Sequence, residues 1–314
     1  MKKVLVGLIV ISLALSASAF ILIPKELTIS KVTLIQANEN TLYRYLSNEG
    51  KWKKWWPSKN TTSDKNGVYG YNGFAYSLSK ALYHAVEVKM SNEGKVYAGR
   101  IVIVPMSTDS VAVKWESTFS TSSNPFSRIL DYQEAKKIRK NMEVILDSLK
   151  VFNEHKENLY DYNIHRATIT DTFLVATKIT TNHFPSIKEV YDLVENLSQY
   201  IKRQGAKETN YPMLNVTTND SIHYITMVAI PTDKRLKDSG SISFKQMIIY
   251  KDKTVVAEVK GGPEAIKKAY EELNVYMNDY ILSPPVIHWE SLITDRSKER
   301  DSTKWVTKIF MPIV

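Results

Sequence analysis

The chain of 314 residues contains no cysteine. Disulfide scaffolds, thiolate zinc sites, iron–sulfur clusters, thiol catalysis and lipidation of a cysteine are all excluded by that absence. The compartment stays open, since disulfide-free proteins occur on both sides of a membrane. Glycine and proline number 11 each, too few for a collagen-like or low-complexity chain. With 43% hydrophobic and 24% charged residues, the composition is that of folded globular material. Histidine is scarce: His84, His155, His165, His183, His223 and His288 are the full set. None stands at a helical metal-ligand spacing to another, which disfavours a metal centre. No Gly-x-Ser-x-Gly elbow and no Walker loop is present. Gly67, Gly70 and Gly73 have the wrong spacing for a dinucleotide loop and lead into a strand-like stretch. No cofactor is therefore expected.

Charge of one sign is in excess, but only mildly. The formal net charge is +9, of which residues 25–165 contribute five and residues 166–314 two. No block is basic enough to demand nucleic acid, and no segment reads as a recognition helix with clustered arginines. DNA binding is not expected.

One long hydrophobic run is present. After Lys2 and Lys3, residues Val4 to Pro24 carry no charge. As a helix this run reaches about 30 Å, the thickness of a bilayer's hydrocarbon core. The small residues Ala17-Ser18-Ala19 suit a signal-peptide cleavage site, which would make the protein secreted by cleavage after Ala19. Continued apolar character through Phe20-Ile21-Leu22-Ile23 instead favours an uncleaved anchor spanning residues 1–24. The lysines ahead of the run place the folded part outside the cytoplasm.

Residues 25–160 read as one α+β domain. Leu27 to Ala37 alternates and is rich in β-branched residues, as a strand requires. Asn38-Glu39-Asn40 caps a short helix that runs into Trp52-Lys53-Lys54-Trp55-Trp56-Pro57. Strands follow at Gly70–Ser79, Tyr83–Met90, Lys95–Pro105 and Ser110–Phe119, with turns at Asn92-Glu93-Gly94 and Ser107-Thr108-Asp109. From Ser127 to Glu157 the period changes. Ile138, Met142, Ile145, Leu149 and Phe152 mark one stripe of a long helix. A strand, short helices with the Trp-x-x-Trp-Trp-Pro segment, a meander and a final long helix resemble the START-like (SRPBCC) superfamily. That resemblance implies a helix-grip domain with a hydrophobic cavity, and no common catalytic residue. The three tryptophans among lysines are read as packing a turn, ahead of a membrane-interface belt or a base-stacking surface.

Residues 166–314 read as a duplicated βαββ half-domain. Pro185 and Pro263 each open a helix, where a missing N–H is harmless. Pro212 and Pro285 each open a strand, and Val228-Ala229-Ile230-Pro231 is echoed by Ile309-Phe310-Met311-Pro312. The expected elements are strand Thr168–Thr180, helix Pro185–Gln204 and strands Pro212–Thr218 and His223–Pro231. The second copy gives strands Ser243–Tyr250 and Thr254–Lys260, helix Pro263–Tyr280 and strands Pro285–Thr294 and Trp305–Val314. Two such halves about a pseudo-twofold axis form one sheet with both helices on one face, and the seam between them is the expected ligand cleft.

The stretch from Pro285-Val286-Ile287-His288-Trp289-Glu290 to Trp305 through Ile313 is similar to the GyrI-like family, the effector-binding domain of bacterial transcription activators. The resemblance implies a small-molecule pocket with aromatic walls and a glutamate in the penultimate strand, here Glu290, that meets cationic or polar ligands. The residues make a separate case. Glu290 is the one acid between Tyr280 and Thr294. Alternation sets it on the face of Val286, His288 and Leu292, with Trp289 opposite. A carboxylate on an apolar face needs a partner or a ligand. His288, Tyr191, Phe244, Tyr270, Tyr276 and Trp305 complete the candidate ligand set.

The expected function is a membrane-tethered binder of amphipathic, hydrophobic or cationic organic compounds, and more a binding protein than an enzyme. Two alternatives remain: hydrolysis of reactive small molecules with Glu290 as general base, and carriage of a lipid or hydrophobe in the START-like cavity.

Overall fold

A computed structural model describes residues 17–57, 67–218, 220, 222–247 and 251–314. The chain divides into two units, Met1–Leu159 and Tyr160–Val314, both α+β and each built on an antiparallel sheet. Most of the apolar run Val4–Pro24 lies outside the described residues. Residues 17–22 are helical, and among the described residues no helix is long and apolar enough to cross a membrane.

In the first unit, β1 (Glu26–Ile35) is followed by α1 (Glu39–Leu46), α2 (Glu49–Trp55), β2 (Tyr69–Tyr71) and β3 (Phe74–Leu82). Then come β4 (Ala85–Asn92), β5 (Lys95–Ser107), β6 (Ser110–Ser120), α3 (Pro125–Glu154) and α4 (Lys156–Leu159). The strand order is β1-β6-β5-β4-β3-β2. Helix α3 starts where Asn124 accepts from the backbone N–H groups of Phe126 and Ser127, with Pro125 in the first turn. Its expected stripe is buried at Ile138, Met142, Ile145 and Leu149.

The strand expected over Gly70–Ser79 is instead two strands. Asn72 (φ 48°) and Gly73 (φ 83°) turn the chain, so β2 pairs back on β3 through Tyr69 and Tyr76. Asn-Gly is the dipeptide that accepts two positive φ angles in a tight hairpin.

The tryptophans are core residues. Trp52 is 1% exposed and stacks on Trp56 at 5.3 Å and 2°. The indole N–H of Trp52 donates to the Leu46 carbonyl, and that of Trp56 donates to Gly70, both at 2.9 Å. Neighbouring Lys53 and Lys54 are exposed. Sheet and helix are also tied by a polar chain running from the surface into the core: Asn141 of α3 donates to the buried Tyr76 hydroxyl (3.0 Å) and accepts from the exposed Asn72 (2.9 Å).

The second unit contains β7 (Asn163–Ala167), β8 (Phe173–Thr181), α5 (Ile187–Arg203), β9 (Met213–Thr218) and β10 (Tyr224–Thr232). The same series recurs as β11 (Ser243–Gln246), β12 (Thr254–Lys260), α6 (Pro263–Asp279), β13 (Trp289–Leu292) and β14 (Val306–Pro312). The sheet order, β11-β8-β10-β9-β13-β14-β12-β7, reads the same repeat from either end. Two features differ from the sequence expectation. The first copy has an extra leading strand, β7, matching the strand expected from Ser243 in the second copy (β11, Ser243–Gln246), and each of these strands pairs with the opposite copy: β7 with β12, β11 with β8. The strand expected over Pro285–Thr294 shrinks to four residues, because Pro284 and Pro285 offer no N–H to a ladder.

The halves meet at β9 and β13, where Leu214 faces Glu290 and Met213 faces Ser291. Helix α5 begins with a capping box between Ser186 and Glu189. Its Val190, Leu193, Leu197 and Ile201 pack with Val175, Leu214, Val228, Ile230 and Leu292. Those strand residues, like Glu290, belong to one sheet face. Leu174, Ala176, Met213, Ala229 and Trp289 form a separate cluster on the other.

Candidate functional site

Glu290 lies on the helix-covered face, two residues before Leu292 on β13. Its carboxylate accepts from Arg296 Nη2 at 3.1 Å, and the two side chains are 17% and 11% exposed. The same guanidinium nitrogen donates to Thr307 Oγ1 at 2.8 Å, and its carbon stands 5.0 Å from the centre of the Trp305 ring. Tyr191 of α5 fixes the arginine's backbone. Its hydroxyl accepts from the Arg296 N–H at 2.7 Å and donates to the Thr294 carbonyl at 3.2 Å. The carboxylate that demanded a partner therefore has one inside its own unit.

Two opposing causes act on the Glu290 carboxyl. Burial raises its pKa, Arg296 lowers it, and the net direction is upward. Burial and the charge of Glu290 together raise the Tyr270 hydroxyl, which brings α6 to this face as well. His288 meets the Tyr270 ring edge-on at 5.1 Å, and its own burial lowers its pKa. Of the seven residues proposed from the sequence, Glu290, Tyr191, Tyr270, His288 and Trp305 thus come together. Phe244 and Tyr276 do not: Phe244 packs near Phe173 under Arg235, and Tyr276 stacks on Tyr280. Arg296, at the centre of the group, escaped the sequence reading because it sits in the polar loop between β13 and β14, away from any periodic pattern.

The most apolar hollow described in this unit is on the opposite face. A cavity of about 780 Å³ lies over the seam between the halves, lined by Met213, Asn215, Met227, Ala229 and Trp289 among others. That volume is within the usual range of about 300–1,000 Å³ for small-molecule pockets. The Trp289 ring is fixed by stacking on Phe310 at 5.3 Å and 4°. Asn215 is held by donating to the His288 carbonyl at 2.8 Å. Met247, Val286 and Ile287 extend the apolar wall, and Lys245, Gln246 and Lys253 supply its polar part. Among the described residues, no acidic side chain contributes to the lining. A second hollow of about 910 Å³ lies along α5, bordered by Tyr191, Arg296, Asp192 and Lys298. Glu290 lines neither.

The signal for the first cavity was in the sequence as Met213, Met227 and Trp289 at inward positions of three strands, but alternation alone reads such residues as core. Among the described residues, no group of histidines and carboxylates is arranged to hold a metal ion.

Neither the protein-family models nor the curated proteins compared with the chain give a match. Among solved structures, the chain is similar to EcmrR in its complex with DNA, at 20% identity over 59% of this chain and 69% of that one (TM-score 0.43). It is also similar to the C-terminal domain of EcmrR, at 18% identity over 49% of this chain and 98% of that one (TM-score 0.42). A conserved protein from Listeria innocua matches at 11% identity, over 51% of this chain and 96% of that one (TM-score 0.38). Likenesses at these scores decide nothing about function.

Proposed function

We propose that the second unit is a small-molecule receptor whose ligand occupies the cavity on the open sheet face, with Trp289 and the methionines as its apolar wall. One observation carries this reading: a cavity of about 780 Å³ over the seam of two pseudo-symmetric halves, walled by flexible, polarisable side chains. Methionines adapt to irregular apolar shapes, and the stacked Trp289–Phe310 pair gives a rigid flat surface against which a ligand can pack. The resemblance of residues 285–313 to GyrI-like effector-binding modules supports the same class of function. It differs in the place of the ligand, because Arg296 already occupies the partner position of Glu290. The apolar run Val4–Pro24 supports tethering of the receptor to a membrane, with the folded part outside the cytoplasm.

The test uses Nile red, an uncharged apolar dye, so that the result is independent of the charge of the natural ligand. Saturable emission enhancement is expected with the full chain. Ala229→Phe, which projects a ring into the cavity from β10, and Met227→Trp are each expected to weaken it at least tenfold while the thermal transition persists. Enhancement that is absent, or unchanged in both folded variants, overturns the receptor reading.

A further inference from the structure

We infer that the open-face cavity selects an anionic amphiphile: a free small molecule with an apolar body and a carboxylate, sulfonate or phosphate head. This rests on the receptor reading and adds the ligand's chemical class to it. The lining combines an apolar wall with two lysines, Lys245 on β11 and Lys253 just ahead of β12, and among the described residues it contains no acidic side chain. Both lysines are exposed, and among the described residues neither has an ion-pair partner. The nearby acid along the chain, Asp252, accepts from the Thr168 hydroxyl instead. The other prominent acid of this unit, Glu290, faces the other side of the sheet and is committed to Arg296.

The charge pattern therefore runs against a cationic ligand. A cation in this cavity would meet two ammonium groups and no acidic side chain among the described lining residues, whereas an anion meets two donors that among the described residues have no ion-pair partner. An apolar tail fits the methionine and tryptophan wall, where burial of each methylene adds to binding. The topology also explains why the two lysines share one site. Strand β11 belongs by sequence to the second copy but pairs with β8 of the first, so the exchange brings Lys245 to a cavity that Lys253 reaches from the second copy.

The experiment measures displacement of Nile red from the full chain by two surfactants with the same tail, dodecanoate and dodecyltrimethylammonium, each below its micellar concentration. Dodecanoate is expected to displace the dye at a concentration about tenfold lower than the ammonium compound, with the advantage shrinking at high salt. In the double variant Lys245→Glu/Lys253→Glu, at exposed positions that leave the fold intact, the order is expected to reverse. Equal displacement by the two, or preference for the ammonium compound in the unmodified chain, overturns the anionic class and leaves the receptor reading standing. Lysine-dependent sedimentation with phosphatidylglycerol vesicles, without displacement by dodecanoate, also overturns it by assigning the lysines to a lipid surface. Failure of Nile red itself to bind sinks the receptor reading and this inference with it.

Discussion

At the scale of single residues, the pairing of Glu290 with Arg296 decides what that glutamate does. A lone carboxylate on an apolar sheet face is costly, and the sequence makes that demand legible. It does not name the group that meets it, because Arg296 reaches back from a loop whose conformation no periodicity encodes. With both side chains mostly covered, removing one partner strands the other. Arg296→Met is expected to destabilise the second unit by about 3 to 5 kcal/mol. Glu290→Gln combined with Arg296→Met is expected to recover much of that loss, because no uncompensated charge is left. Urea unfolding of the two single variants and the double variant measures the coupling. Additive effects would show that the pair is not coupled and that the guanidinium is held by Thr307 and Trp305 alone. The same geometry commits the Glu290 carboxylate to a guanidinium, and Glu290 borders neither hollow described above.

At the scale of elements, positions that obey a simple period were readable and positions set by turn chemistry were not. The stripe Ile138, Met142, Ile145 and Leu149 on α3 follows directly from spacing, whereas α5 is opened not by Pro185, as expected, but by the capping box of Ser186 with Glu189, so that Pro185 stands just ahead of the helix. The hairpin between β2 and β3 was missed because Tyr69 to Leu78 alternates on both sides of the turn, so the pattern looks continuous. Asn72-Gly73 was the available signal. Gly73 has φ 83°, and a Cβ built there meets nothing within 4 Å. The cost of Gly73→Ala is therefore the left-handed backbone alone, about 1–2 kcal/mol. Gly99→Ala contrasts with it, because there the new carbon would lie 2.6 Å from Trp115 Nε1, and overpacking costs about 1–3 kcal/mol. Thermal melting of the two variants, with the Trp115 environment followed by near-UV circular dichroism, separates the two causes. Gly73→Ala is expected to lower stability without altering the aromatic signal, and a changed signal would refute the purely local account.

At the scale of the whole molecule, the duplication was visible in the recurring prolines, but the exchange of leading strands was not. Nothing in Asn163–Ala167 says that it will pair with β12 of the other copy rather than with its sequence neighbour β8. The consequence is a boundary that matters. A second unit starting at residue 166 loses most of β7 and uncovers β12, whose Val255 and Ala257 are fully buried. It also loses Tyr160, whose hydroxyl donates to buried Asp279 at 2.9 Å, and Tyr162, which donates to the Ala265 carbonyl at 2.9 Å. Burial of Tyr160 and Ile164 alone corresponds to about 3–6 kcal/mol, a large share of the usual stability of a domain of about 5–15 kcal/mol. The fragment 160–314 is therefore expected to fold and melt cooperatively, while 169–314 is expected to unfold at much lower denaturant or to aggregate through the exposed edge of β12. Size-exclusion chromatography and urea titration of the two fragments give the answer. Equal stability would mean that β7 is an ornament on the edge and that the sheet is complete with seven strands.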